Sequence, residues 1–282
     1  MATTIAALGA LWFTNQSIVT GSQQYSLDRQ VAVTDRFQKA VEQLSSDEVD
    51  IQLSGVYLLE QLASDSPDIH SPVFEVLAAF VRRHTDRSDP AKRNQCDLVG
   101  AMDNALYRAP VVVQAIIDAI GHRNASNDED GKYLDLSWTC LGGLDLSYGN
   151  FTGVSFGGAM LSGADLTGAN LINTYLGGAT LMSAFLHQAN LTGANLQNAD
   201  LTTAMFGTDD DFEEFKPAIL DRADLSGARL SLTNFNNVDL STVKLARTVP
   251  GEVRDTVIPA EFEDVSYNEG TRWPPGFVPP GS

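Results

Sequence analysis

The sequence predicts an α+β multidomain chain, an N-terminal all-α domain followed by a closed coil of short strands, and three observations carry that prediction. A five-residue phrase recurs without a break from 159 to 206: AMLSG ADLTG ANLIN TYLGG ATLMS AFLHQ ANLTG ANLQN ADLTT AMF. A helix repeats every 3.6 residues and a strand every 2, so neither alone keeps every fifth position on one side, whereas a closed coil does. Upstream of the phrase, apolar residues fall at helical spacing between capping signals. Finally, 282 residues with 43 % apolar side chains are enough for one large core or two modest ones.

In chain order, residues 1–26 carry no charge, yet the strongly apolar run Ile5–Phe13 is well short of the ~20 residues a spanning helix needs. No Lys or Arg precedes it, as a signal peptide would require. The segment reads either as a packing helix or as a membrane contact. Over 27–44, Val33, Phe37, Ala40, Val41 and Leu44 make the apolar stripe of an amphipathic helix. Ser45, Ser46 and Asp47 break it and cap the next helix, about 50–64, with Ile51, Gly55, Leu58, Leu59 and Leu62 on one face. Ser71-Pro72 predicts the start of a third helix, Ser at the cap and Pro at the first place, ending on Arg82 and Arg83. Helices are also expected over 95–107 and 110–120, with Gly121 as the stop. These elements form a domain over 27–123, and the polar, acidic stretch 124–132 reads as a linker.

The coil is expected over 133–248. Counting in fives backward from Phe206, the inward place is Leu or Phe at every step down to Leu136. Ala fits a corner at the first place, and Asp, Asn, Ser, Thr and Gly suit the turns outside. After Phe206 the register breaks at DDDFEEFKP, 209–217, and resumes at Leu220, Leu225, Leu230, Phe235, Leu240 and Leu245. If nine residues loop out, Phe235 stacks one turn above Phe206. Beyond 248 the phrase is lost, and the tail 249–282 supplies Val257, Phe262, Tyr267, Trp273 and Phe277 to cover the open end of the coil.

The pattern A(D/N)LXX resembles the pentapeptide-repeat family. That resemblance implies a right-handed quadrilateral pentapeptide-repeat β-helix, a solenoid with four pentapeptides per turn. The run DIQLSGVYLLEQLASDSPDIHSPVFEVLAAFVRRHT, 50–85, is similar to the helical region that precedes the repeats in a bacterial subset of the family. Some of those relatives carry a membrane helix ahead of it, so by resemblance 1–26 reads as a truncated anchor, the alternative to the packing helix. The protein is expected in the cytoplasm or on the cytoplasmic face of the membrane.

Composition narrows the chemistry. A net charge of −18 excludes a binder that tracks phosphates with clustered Lys and Arg. Cys96 and Cys140 are far apart, with no CxxC and no neighbouring His, so neither a zinc site nor a disulfide framework is indicated and a reducing compartment is the default. His70, His84, His122 and His187 show no metal-ligand spacing and read as surface histidines. Gly153-Val154-Ser155-Phe156-Gly157 matches the GxSxG elbow of hydrolases, but that motif needs a helix after the serine, and here the repeat continues. The acidic run 209–214 lacks the spacing of a calcium loop. No catalytic, cofactor or metal site is expected.

One feature stands out from the polar exterior. Phe185 and Met205 fall at the same outward position one turn apart, where the repeat prefers Asp or Asn. His187 shares that face, and the loop beyond Met205 carries Phe212 and Phe215. These five residues form the candidate protein-contact site, unless the two Phe fold back over the pair. The leading expectation is a non-enzymatic binding or scaffold module for an unidentified protein partner, with no direct nucleic acid binding and with membrane contact through 1–26. The alternative comes from the resemblance: a DNA-mimicking, topoisomerase-binding protein of the fluoroquinolone-resistance type. Against it, residues 131–250 carry only 12 Asp and Glu against 6 Lys and Arg, an excess of six, and three of those acids are Asp209, Asp210 and Asp211.

Overall fold

The computed structural model describes residues 28–87, 110–207, 216–249, 256–262 and 264–279. The apolar segment 1–26, the helix expected over 95–107, Phe212 and Phe215 lie outside the described residues. Among the described residues, four helices precede the coil: α1 (28–44), α2 (Val49–Asp65), α3 (His70–Thr85) and α4 (Val111–His122). Helix α2 crosses α1 at Gly55, where an added Cβ would stand 2.5 Å from the Leu44 nitrogen and 2.8 Å from the Ala40 carbonyl oxygen. Only glycine permits that approach. Helix α3 starts differently from its sequence signal. The 3₁₀ turn Pro67–Ile69 leads into it, no side chain caps it, and Ser71 Oγ instead accepts a hydrogen bond from the Glu129 amide.

The coil follows from local turn chemistry repeated. From Leu141 on, the inward Leu or Phe carbonyl of the uninterrupted units accepts a hydrogen bond from the amide three residues on, as in Leu161–Ala164 and Leu166–Ala169. The second residue after the inward one has positive φ, the signature of a type II turn: Gly163, Gly168, Asn173 and Gly178 lie at 54–67°. Glycine recurs at that place because it adopts the conformation without strain. The residue just before the inward one carries Asp or Asn, whose side chain accepts from the amide two residues on, as Asp165 does from Thr167 and Asn195 from Gln197.

Parallel bridges join residues 20 apart, such as Cys140 with Met160 and Asp165 with Phe185, so one turn takes four units. Four columns of bridge residues therefore run along the coil, and each is called a side after its starting residue: Asp135, Cys140, Asp145 and Asn150. Across the interruption the bridges join residues 29 apart, Asn190 with Ile219 and Met205 with Asn234. Nine residues therefore leave the coil without disturbing its register, and the Phe206 and Phe235 rings stack at 5.3 Å and 16°.

Although the phrase ends at Leu245, the ladder goes on. The antiparallel strands Ala246–Val249 and Thr256–Pro259 form an excursion, after which Glu261, Ser266 and Arg272 bridge Arg229, Asn234 and Asp239. In this last turn Phe262, Tyr267 and Trp273 stand one place after the bridge residues, where earlier turns have Leu or Phe. Trp273 lies 5.3 Å from Tyr267, 6.0 Å from Phe262 and 6.4 Å from Phe235, and Phe277 stacks on it at 5.2 Å.

At the other end the helices and the coil share one core, continuous from Leu59, Leu77, Val113, Ile116 and Ile120 into Leu136, Leu141, Leu146 and Phe151. The acidic segment read as a linker is pinned between them. Asp128 accepts from Arg123 Nη2 at 2.8 Å and lies 3.2 Å from His70 Nε2. His70 is therefore buried, not at the surface as its sequence context suggested. Cys140 is disulfide-bonded, contrary to the expectation that the cysteines form no bridge. The chain's other cysteine, Cys96, lies outside the described residues. Spacing along the chain says little about such a bond, because the fold decides which residues meet.

Candidate functional site

Of the sequence-predicted contact residues, Phe185 and Met205 lie on the third side. Phe185 and Met205 are bridge partners one turn apart; Phe185 is 40 % exposed and Met205 half-buried. On that column their neighbours are Asp165 below and Asn234 above, so two apolar side chains interrupt a polar row. Neither can make the carboxylate- or amide-to-backbone bond that Asp165 makes with Thr167 and Asn234 makes with Asn236. Local turn energy therefore does not favour them. His187, two places after Phe185, is half-buried.

The mouth of the loop is well defined. Gly207 packs against the next turn, where an added Cβ would run into the Asn236 carbonyl oxygen, and the Gln188 amide donates to the Lys216 carbonyl at 2.8 Å. The chain re-enters at Ile219, 51 % exposed on the fourth side. Sequence reasoning missed Ile219. The signal was present, because Ile219 stands in the same column as Asn150, Asn170 and Asn190 and departs from it as Phe185 and Met205 depart from theirs. Leu232, exposed at the corner before the third side one turn higher, extends the apolar rim.

Charges around the coil are used structurally. Arg229 pairs with Asp200 at 3.2 Å, Lys244 with Asp224 at 2.9 Å and Arg272 with Asp239 at 3.4 Å, each across one turn. Burial pushes the Asp224 carboxyl up, but its hydrogen bonds with Ser226 and Lys244 outweigh that and hold it below the ordinary 3.8. Hydrogen bonds from Ser241, with Arg272 nearby, hold Asp239 below 3.8 as well. Among the described residues no cluster of His, Cys, Asp and Glu is arranged to hold a metal ion. Ser155 of the GxSxG stretch lies on the short strand Val154–Ser155, with its Oγ 2.9 Å from Ser137 Oγ. A turn follows it, not a helix. No helix among the described residues is long and apolar enough to cross a membrane.

The pentapeptide-repeat family model matches in eight copies, within residues 139–178, 150–188, 169–206 and 218–248. Similar solved structures include the pentapeptide repeat protein Rfr23 of the cyanobacterium Cyanothece 51142, 24 % identical over 43 % of this chain and 64 % of that one, TM-score 0.21. A pentapeptide repeat protein of the Arabidopsis thaliana thylakoid lumen is 32 % identical over 34 % of this chain and 63 % of its own, TM-score 0.27. QnrB1, a plasmid-mediated fluoroquinolone resistance protein, is 18 % identical over 49 % and 80 %, TM-score 0.20. The chain spans less than two thirds of the length of the first two. No curated protein matches it.

Proposed function

From a coil that belongs to the pentapeptide-repeat family, we propose that this protein is a non-enzymatic binding module. Its coil is right-handed and four-sided, and it presents the loop mouth on its third and fourth sides to a protein partner. The observation that carries the reading is the pairing of Phe185 with Met205 on a column otherwise built of Asp, Asn and Ser. Both side chains forgo a turn-stabilising bond to the backbone, and with Ile219 they ring the place where 208–215 leaves the coil. Exposed apolar clusters of this kind, rimmed by polar residues, mark contact surfaces. We assign to the same surface Phe212 and Phe215, which lie outside the described residues, and His187 as a polar group at its edge.

The test restores the column. A Phe185→Asp, Met205→Asn double variant is expected to keep its fold, with a stability change within about 0.5 kcal/mol as for other surface substitutions. It should lose the partner that the unaltered chain captures by cross-linking in lysate of its source. Capture that survives the double substitution sinks the reading. A DNA-supercoiling assay addresses the topoisomerase alternative: inhibition by the protein that the double substitution leaves intact would favour charge mimicry over the apolar contact.

A further inference from the structure

A second feature lies on the opposite part of the coil, on the first side and its corners. The second turn there is made of the smallest residues, Gly153, Ser155, Gly157 and Gly158, and aromatic rings from the turns above and below lean over it. An added Cβ at Gly157 would meet the Tyr175 ring at 2.7 Å, and one at Gly158 would meet the Trp138 indole at 3.0 Å. Each ring therefore lies against glycine backbone, and both remain substantially exposed, as does Tyr133. Between the Tyr133 and Tyr175 rings opens a recess of about 680 Å³, lined also by Asp135, Ser155, Asn173 and Asn195. Through Tyr133 and Asp135 it continues into the crease below α3, beside Phe37, Val76 and Arg82.

The lining selects a ligand class. No Lys or Arg lines the recess, and Arg82 at its edge is tied to Asp135 at 3.1 Å, so a phosphate or carboxylate would find no cation. Asp135 only accepts hydrogen bonds, whereas Ser155, Asn173 and Asn195 both donate and accept. Asn195 Oδ1 already holds the Gln197 amide, which leaves its NH₂ group for a ligand. A proline-rich peptide offers carbonyl acceptors, which suit the amides but not the carboxylate. A ligand with hydroxyls satisfies all four residues, because each hydroxyl donates and accepts. Aromatic faces held flat, with polar groups between them, suit a ring that is apolar on its face and polar at its edge.

We propose that this recess binds a neutral oligosaccharide, with Tyr175 and Tyr133 as stacking platforms and Asp135, Asn173 and Asn195 reading the ring hydroxyls. Ser155 is the floor, small enough to admit the ligand between Asp135 and Tyr175.

The test titrates the full chain with hexasaccharides of β-1,4-glucose, α-1,4-glucose, β-1,4-xylose and β-1,4-N-acetylglucosamine, and with a deca-proline peptide. Tryptophan fluorescence and calorimetry follow the binding. At least one hexasaccharide should bind saturably at one site. Tyr175→Ala should weaken it about tenfold, the value of one lost stacking contact, while Tyr175→Phe keeps the ring and most of the affinity. Ser155→Tyr, which fills the recess from outside the core, should abolish binding with the circular dichroism spectrum unchanged. The Phe185→Asp, Met205→Asn variant should bind the saccharide normally, which separates this site from the loop mouth. The proposal falls if no hexasaccharide binds at millimolar concentration, if only the proline peptide binds, or if binding survives Ser155→Tyr.

Discussion

The two ends of the coil face the same problem and meet it with different chemistry. At the start, each of the four sides presents downward-pointing backbone groups, and the helical region answers them. Arg82 donates to the Asp135 carbonyl on the first side. On the second, the strand-like stretch after α3 pairs with it, Thr85 accepting from the Cys140 amide and the Arg87 amide donating to the Trp138 carbonyl. On the third, the Gln114 side chain accepts from the Asp145 amide at 3.1 Å and donates to its carbonyl at 2.7 Å, as a neighbouring peptide unit would. On the fourth, the Gly121 carbonyl accepts from Asn150 and Arg123 donates to the Asn150 carbonyl. The far end relies on apolar mass instead. Its last turn replaces Leu with Phe262, Tyr267 and Trp273, and Phe277 lies on the indole. A helical surface offers side chains at many heights and can match backbone groups one by one, whereas a tail that continues the ladder needs only to plug the axis.

That contrast predicts unequal responses to substitution. Arg123→Ala should have the largest effect, because the side chain is wholly buried and donates to Ile120, Asn150, Thr152 and Asp128. Removing it strands Asp128 and three carbonyls, at a cost of about 3–5 kcal/mol in urea unfolding. A loss under about 1 kcal/mol would show that the fourth-side cap is dispensable. Trp273→Ala should cost less, about 2 kcal/mol, since the indole is half-buried and the Leu225–Leu240 layer beneath it remains. It should also raise self-association in sedimentation, because the plug over the ladder is gone.

The smallest effect concerns acid. The folded carboxyls of Asp224 and Asp239 lie below 3.8, so the unfolded chain takes up protons first as pH falls. Their contribution is present above that ordinary value and is lost as pH drops through the folded values. It should amount to less than about 1 kcal/mol, given their exposure. Asp224→Asn should flatten part of the decline in urea midpoint below about pH 4. An unchanged acid slope would mean that the late-turn ion pairs add nothing at this end.

Several features are legible in the amino-acid sequence, and each is local. The period of five, the inward Leu and Phe, the nine-residue excursion and the Phe206–Phe235 stack all follow from turn chemistry repeated unit by unit. Helix α3 shows the limit: Ser71-Pro72 signals a start, yet Ser71 Oγ serves the Glu129 amide 58 residues away. The candidate contact pair is legible for the same reason as the repeat, since an apolar residue at an Asp/Asn place breaks a rule visible in one dimension. Ile219 breaks the same rule but stands beyond the interruption, where the column is harder to follow.

The amino-acid sequence by itself determined the coil, its register and the polar row that Phe185 and Met205 interrupt. Each depends on interactions within a unit or between units a fixed number of residues apart, and periodicity exposes them. Only the tertiary structure decided that His70, Arg123 and Asp128 meet under the first turn, that Cys140 is bridged, and that Glu261, Ser266 and Arg272 extend a ladder after the phrase has ended. Those contacts join residues at irregular separations. Burial and backbone pairing select them only once the chain has closed, and no period in the sequence marks them.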